Sequence, residues 1–199
     1  MAGTDISGVV EHLMPGIRRP RPDPNGRPPT DAELDVLLHA AVSVPDHGLL
    51  RPWRFVVISG EARDRFGDAL ASDAAVVDDT PAMTDRARRK AFASPMHVLV
   101  LASPRESNIP EWEQEASAAC CGYAMILAAT ALGLGAVWKS TSLRDGDALR
   151  HLLAADEHER VLGWIGLGSP ADSAESRPRS DPGLEMPVTV LPAGPALVH

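Results

Sequence analysis

The segments VPDH (residues 44–47) and PWRFVVI (residues 52–58) decide how this chain folds. The second segment ends in a short apolar, β-branched run, which is the composition of a buried strand. Pro45 biases the residue before it away from helical geometry, so a preceding helix should end near Ser43. His47 then lies in a loop between two rigid elements, where binding groups are commonly mounted. From these residues alone, an exposed polar turn without a ligand is an equally good interpretation.

Length, charge and cysteine content narrow the class of protein. The 199 residues suit one domain with a proper core. A net charge of −8 disfavours nonspecific binding to nucleic acid, which needs a basic surface. The basic run at residues 86–90 is flanked by acidic residues, and we expect it to form a solvated helix face. Cys120 and Cys121 are adjacent in an apolar helix, so they are poorly placed to pair and indicate a reducing compartment.

Two segments bear on localisation. Residues 1–13 contain acidic residues and lack the apolar centre of a secretory signal. Residues 116–138 carry no charge and are long enough to span a membrane. Their content of Ala, Gly, Ser, Thr and Cys instead favours a helix packed on all sides inside a soluble protein, or a helix at a dimer interface. We therefore predict a cytoplasmic protein that does not bind membranes.

We predict a single domain over residues 1–199, and we find no internal repeats in the sequence. TDAE at residues 30–33 is a capping box, which should open a helix that runs to about Ser43. Residues 72–94 lack a strong apolar stripe and suit a mobile lid. Residues 171–199 form an extended tail. Strands are further predicted at residues 54–59, 97–102, 136–140, 160–168 and 188–191, and helices at residues 1–15, 61–71, 111–134 and 144–155.

The sequence gives little support for a metal site, a Rossmann dinucleotide site or a hydrolase. Asp78, Asp79, Glu113 and Glu115 have no His or Cys at ligand spacing, so we interpret them as solvated charges and predict no metal site. The glycines at residues 133–135 follow a helix rather than a strand, which is the wrong context for a Rossmann fingerprint. A Gly-x-Ser-x-Gly elbow is absent from the sequence, so a hydrolase is not indicated.

Three segments, in the same order, resemble the small bacterial FMN-dependent NAD(P)H nitroreductases. The first is Arg18-Arg19, just after the first helical segment. The second is AAVSVPDH (residues 40–47) leading into PWRF. The third is WEQE (residues 112–115), which opens a long small-residue helix ending in GLGAVWKS (residues 133–140). The resemblance runs from about residue 10 to about residue 190, which is nearly the whole chain.

The resemblance implies an α+β nitroreductase-like fold, with a central mixed sheet flanked by helices and a C-terminal strand exchanged in a homodimer. It implies an enzyme that binds FMN, takes hydride from NAD(P)H and reduces a nitroaromatic, quinone or related small-molecule acceptor in ping-pong fashion. Two alternatives stay open: a flavin-binding or flavin-sequestering protein with little turnover, and a specialised flavin-using member of the same fold. The sequence does not choose between NADH and NADPH.

The resemblance also implies the residues of the site. Arg18 and Arg19 would bind the flavin phosphate, because the planar guanidinium fork meets phosphate oxygens in pairs. His47 would approach the flavin from the second subunit and is a candidate catalytic residue. The strand-end segment that would contact the cofactor consists of Trp138, Lys139 and Ser140.

Two positions depart from the family pattern. Pro20 stands where the family usually has serine, so a hydroxyl and a backbone N–H are lost. Ser43 stands where the closest relatives have arginine, so a cation is lost. Each lost charge-assisted contact costs roughly 1.5–3 kcal/mol, so FMN affinity should fall, and Arg21 or Arg51 are candidates to compensate.

Overall fold

A computed structural model of the chain describes residues 20–140, 146–171 and 189–190. Helices and strands follow one another in an irregular order, with the longest helix between the second and third strands. The helices are α1 (Asp31–Ala41), α2 (Ala62–Val77), α3 (Pro81–Arg89), α4 (Glu111–Ala131) and α5 (Asp147–Leu152). The strands are β1 (Trp53–Ser59), β2 (Met96–Ala102), β3 (Gly135–Lys139) and β4 (Arg160–Gly168), and short 3₁₀ turns cover His47–Leu49 and Lys90–Phe92.

The four strands form one sheet in the order β1-β2-β4-β3. Each of the three pairs is antiparallel. The prediction of a mixed sheet is therefore wrong for the described residues. The strands β2 and β3, which α4 joins, run in the same direction, but β4 lies between them, so they do not form a parallel pair. The α+β class itself is confirmed. The segment at residues 188–191, predicted to be the exchanged strand, lies outside the described residues apart from Thr189 and Val190, which form no strand.

The central strand β2 is buried along its whole length and divides the interior into two cores. Since side chains alternate between the two faces of a strand, Val98 and Val100 face the core under α1 and α4. Leu99 and Leu101 face the second core, under α2, α3 and α5. The alternation extends across the sheet, so the buried apolar residues of the other strands are likewise divided between the two cores.

Four of the five predicted helices are present among the described residues, although α2 continues to Val77 instead of ending near residue 71. The helix predicted at residues 1–15 lies outside the described residues. Thr30 caps α1, since its hydroxyl accepts the Glu33 N–H at 3.3 Å while the Glu33 carboxylate accepts the Thr30 N–H at 2.7 Å. Among the described residues, none of the helices is both long enough and apolar enough to cross a membrane.

Residues 72–94 have more contact with the core than their composition suggests. They form the end of α2, all of α3 and the following turn, and Ala87 and Ala91 are buried in the second core. Buried Asp73 accepts the N–H groups of Ala148 and Leu149 at 2.9 Å each, which ties α2 to the start of α5. The movement of this segment as a lid stays a prediction.

The long helix α4 packs against β3 through a glycine. A Cβ on Gly122 would lie 1.7 Å from Cζ3 of Trp138, so the indole ring occupies the space that any side chain at this position would need. The indole ring of Trp138 thus packs directly on the backbone of α4 at Gly122, and α4 can lie this close to β3 because glycine has no side chain.

A second packing feature is the buried ring of His97, which is 1% exposed. Its Nε2–H donates to the Ala91 carbonyl at 2.8 Å, and the ring packs against Phe66 with centroids 5.5 Å apart. Burial lowers the pKa of His97 to about 4; the bond to Ala91 opposes that shift and the charge of Arg63 adds to it. The ring is therefore neutral at neutral pH.

Gly122→Ala tests the packing of Trp138. In an ordinary helix this change raises the free energy of unfolding by roughly 0.5–1 kcal/mol. Here the added methyl group must displace the indole ring, so we expect the free energy of unfolding, measured by urea titration, to fall by about 1–3 kcal/mol. In a Trp138→Leu background the same change should cost much less. Equal destabilisation in both backgrounds would contradict the close approach.

His97→Leu tests the neutral buried ring. Because the pKa of His97 in the folded chain lies below its unfolded value of about 6.5, only the unfolded chain gains a proton between about pH 6.5 and pH 4. The stability contributed by neutral His97 is therefore full above pH 6.5 and is lost as the pH falls toward 4. We expect His97→Leu to show a smaller loss of unfolding free energy between pH 7 and pH 5 than the wild type; parallel pH profiles would refute this.

Candidate functional site

The loop between α1 and β1 carries His47 at the surface, with 68% of its side chain exposed. Its ring Nδ1 lies 2.9 Å from Oε2 of Glu113, in the first turn of α4. Because a carboxylate can only accept a hydrogen bond, Nδ1 carries the proton in this contact. Within the described part of the chain Nε2 has no partner, so that atom is available to a ligand.

The backbone of this loop has an unusual shape. Gly48, Leu49 and Arg51 have φ angles of 74°, 54° and 49°, in the left-handed region that side chains disfavour. A Cβ on Gly48 would lie 2.6 Å from Cδ1 of Ile109, so a side chain there would have to displace the end of Ile109 in addition to adopting the left-handed conformation. The Asp46 carboxylate accepts the Arg51 N–H at 2.8 Å and closes the loop.

A cleft of about 370 Å³ opens beside this loop. Its lining combines apolar side chains with one carboxylate and one guanidinium, and consists of Val42, Val44, Asp46, Leu49, Arg51 and Trp53. Ser43 neighbours the cleft but does not provide a free hydroxyl, since its Oγ–H donates to the His39 carbonyl at 2.7 Å. Within the described residues the Arg51 guanidinium has no acidic partner, which leaves it available to an anion.

The end of β3 carries the predicted strand-end residues. Trp138 lies on the α4 side of the sheet, over Gly122. By strand alternation Lys139 lies on the opposite side, toward α2 and α3. Ser140 follows the strand and is exposed. The side chains of Trp138 and Lys139 therefore cannot contact the same face of one ligand.

Pro20 lies at the other end of β3. Its carbonyl accepts the Ala136 N–H at 3.1 Å, three residues before Lys139. Three strand residues correspond to roughly 10 Å, so Pro20 and Lys139 are separate contacts along one strand. Arg18 and Arg19 lie outside the described residues, so their predicted role stays a prediction.

The structure does not bring all the predicted residues together within one chain. Ser43 and His47 lie near β1, whereas Lys139 and Ser140 lie at the end of β3. These strands are the two edges of the described sheet, three strand spacings or roughly 14 Å apart. The residues form two half-sites, which we call the loop half-site (residues 42–53, with Glu113) and the strand-end half-site (residues 138–140).

The partnership of His47 with Glu113 was not expected from the sequence. The sequence indicated solvated charge at Glu113 and Glu115, but Glu113 faces His47, and Glu115 pairs with Arg160 at 2.9 Å. No local signal reveals the first pair, because its members are 66 residues apart. Among the described residues, no cluster of three or more His, Cys, Asp or Glu side chains is arranged to hold a metal ion.

This chain is similar in sequence to named relatives and similar in fold to solved structures. YdjA of Escherichia coli K12, a protein named for NAD(P)H nitroreductase activity, is 36% identical over 143 residues, which cover 71% of this chain and 78% of YdjA. A solved nitroreductase-like protein from Bacillus cereus has a TM-score of 0.71 at 22% identity, covering 90% of this chain and 93% of its own. That likeness shows the fold alone.

A third protein, from Desulfovibrio desulfuricans, is named as a nitroreductase and was solved in complex with FMN. It is 26% identical with a TM-score of 0.62, covering 90% of this chain and 98% of its own. The family model described as the Nitroreductase family matches residues 25–169, a span that includes both half-sites. The chain therefore belongs to the Nitroreductase family, whose members are oxidoreductases.

Proposed function

We propose that this protein is an FMN-dependent NAD(P)H oxidoreductase that reduces nitroaromatic, quinone or related small-molecule acceptors by ping-pong hydride transfer. The observation that carries the proposal is the family match over residues 25–169, which spans the loop of His47 and the strand end at Lys139. The name of YdjA and the FMN bound to the Desulfovibrio desulfuricans protein support the same chemistry.

The strand-end half-site suits an anionic cofactor. Lys139 is exposed and has no acidic partner within the described residues, and Ser140 adds a hydroxyl beside it. Cations and hydroxyl donors of this kind recognise phosphate and polar ring edges. Arg18 and Arg19 are proposed as further phosphate ligands on the family resemblance. When bound, FMN would supply the hydride chemistry, accepting from NAD(P)H and delivering to the acceptor.

The part proposed for His47 follows from its bond to Glu113. That bond fixes the orientation of the ring and leaves Nε2 pointing away from α4 with no partner among the described residues. Nε2 accepts a hydrogen bond when the ring is neutral and donates one when the ring is protonated. His47 can therefore hold a polar edge of the cofactor or supply a proton to a reduced acceptor.

A homodimer would unite the two half-sites. They lie beside the two edge strands of the described sheet, which are roughly 14 Å apart in one chain, and a second copy could place His47 of one subunit beside Lys139 of the other. The exposed face of α4 favours such a contact, because Trp112 is 68% exposed and the small residues Ala119 and Cys120 lie exposed beyond it. Exchange of the C-terminal tail stays part of the proposal.

A flavin-binding protein with little turnover is the second candidate. It is favoured by Ser43, whose hydroxyl is already bonded to His39, and by Pro20, which offers no N–H to a phosphate. Stoichiometric FMN with negligible NAD(P)H oxidation across acceptors distinguishes this candidate from the reductase. A specialised member of the fold that uses reduced flavin for another reaction would bleach with NAD(P)H but fail with the acceptors named above.

The visible absorbance of the purified protein is the direct test. After addition of FMN and desalting, we expect a retained flavin spectrum near one FMN per subunit, since both half-sites lie within the family match. Anaerobic NADH or NADPH should bleach that spectrum, and a nitroaromatic or quinone should restore it. A protein that retains flavin but is not bleached by either dinucleotide would contradict the reductase proposal.

Mixed dimers test whether each site uses two subunits. Arg18→Ala and His47→Ala should each weaken FMN binding in their own homodimers. If one subunit supplies Arg18 and its partner supplies His47, a heterodimer of the two variants contains one intact site and one doubly altered site. We expect about one tightly bound FMN in each heterodimer. Heterodimers without any tight site would show that both residues act within the same subunit.

A further inference from the structure

Two cations at the end of α3 lack the acidic partners that stabilise their neighbour. Arg86 and Lys90 are four residues apart, so they share one side of the helix and its C-terminal end. Arg88, on another side, forms ion pairs with Asp64 and Asp68 of α2. Within the described part of the chain no carboxylate pairs with Arg86 or Lys90, so ion pairing within α2 and α3 does not account for them.

The backbone around Lys90 is fixed over the β4–β3 side of the sheet. Directly after it, the Ala91 carbonyl accepts the Nε2–H of buried His97 at 2.8 Å. Four residues after Lys90, buried Ser94 packs over Gly166, where an added Cβ would lie 2.4 Å from its Oγ. Gly166 pairs with Val137 of β3. The chain that carries Lys90 therefore passes over β2 and β4 and comes beside Val137 of β3, the strand that ends in Lys139.

Strand alternation places Lys139 on this same face. Trp138 faces α4, and Val137 beside it contacts the face of Gly166 on which Ser94 lies. Lys139 shares the face of Val137, because the two are two residues apart along the strand. Lys90 and Lys139 thus approach each other from α3 and from the sheet edge.

The charges of this group act on one another. Burial lowers the pKa of Lys90, which is half-buried, and the positive charges of Arg86 and Lys139 lower it further. Like charges held together are unfavourable unless an anion lies among them. Three cations from two separate elements therefore lie together without an acidic partner among the described residues, which leaves them available to an anion.

We propose that Lys90, together with Arg86 and Lys139, binds a phosphate monoester at the strand-end half-site. A phosphate monoester carries close to two negative charges and several acceptor oxygens, and it suits the point charge of a lysine and the fork of an arginine. The proposal rests on the proposed function, because the phosphate belongs either to FMN or to the ribose 2′-phosphate of NADPH.

The first experiment measures the anion site without any cofactor. Inorganic phosphate that binds only the folded chain raises its melting temperature by mass action. We expect millimolar phosphate to raise the melting temperature of the wild type more than chloride at equal ionic strength does. Lys90→Gln should lose most of that increase. Arg89→Gln is the matched control, since it removes one positive charge from the neighbouring position, which points about 100° away on the helix, and it should retain the increase.

The second experiment distinguishes the two sources of phosphate. Dissociation constants of FMN and riboflavin are measured by flavin fluorescence for the wild type, Lys90→Gln and Arg89→Gln. Loss of about tenfold in FMN affinity by Lys90→Gln, with riboflavin unchanged, assigns the site to the flavin phosphate. A KM that rises for NADPH but not for NADH assigns it to the 2′-phosphate.

The outcomes separate this proposal from the function on which it rests. Equal phosphate stabilisation of the wild type and Lys90→Gln would overturn the anion site, even in a protein that binds and reduces flavin. Equal weakening of FMN and riboflavin would also overturn it, because Lys90 would then contact the ring system rather than a phosphate. Phosphate stabilisation that depends on Lys90, in a protein that binds no flavin, would sustain the anion site and contradict the flavin enzyme.

Discussion

The burial of β2 on both faces is the constraint on which the rest of the fold depends. All seven residues from Met96 to Ala102 are inaccessible, so each must face one of two apolar cores. Because β1 and β4 are paired in register with β2, their side chains alternate between the same two sides of the sheet. On β3, which pairs with β4, the same alternation places Trp138 toward α4 and Lys139 toward α3. The position of a cation proposed to bind an anion is thus decided by the packing of a strand two places away.

Much of the fold could be predicted because its signals are local. The capping box at residues 30–33, the apolar run of β2 and the glycines after α4 each act within a few residues, and the structure places elements there. The sheet type was harder to predict. Strand composition does not encode the direction of the neighbouring strand, and a mixed sheet was expected where the described pairs are antiparallel.

The site could be predicted less completely, because its contacts are distant in sequence. His47 and Lys139 were singled out by the family resemblance, but Glu113 as the partner of His47 was not, since a surface carboxylate near a helix start has a simpler explanation. The position of Lys90 against the sheet could not be predicted from the sequence for a similar reason. In the sequence Lys90 belongs to a basic run whose composition favours a solvated helix face. The burial of Ala87 and the bond from His97 to the Ala91 carbonyl show that the run is held against the sheet. The sequence of residues 72–94 favours a lid because it lacks a strong apolar stripe. In the structure, alanines provide much of the buried contact of this segment, and their small side chains form only a weak apolar pattern in the sequence.

The left-handed backbone at Leu49 and Arg51 has a consequence for how this protein can change. Each non-glycine residue in that region stores on the order of 1–3 kcal/mol of backbone strain. Glycine or asparagine at either position would relieve that strain and raise the thermal stability of the protein. Both side chains line the cleft next to His47. Substitutions that relieve this strain would therefore also change the lining of the loop half-site, so selection for thermostability alone can alter the shape of a binding surface.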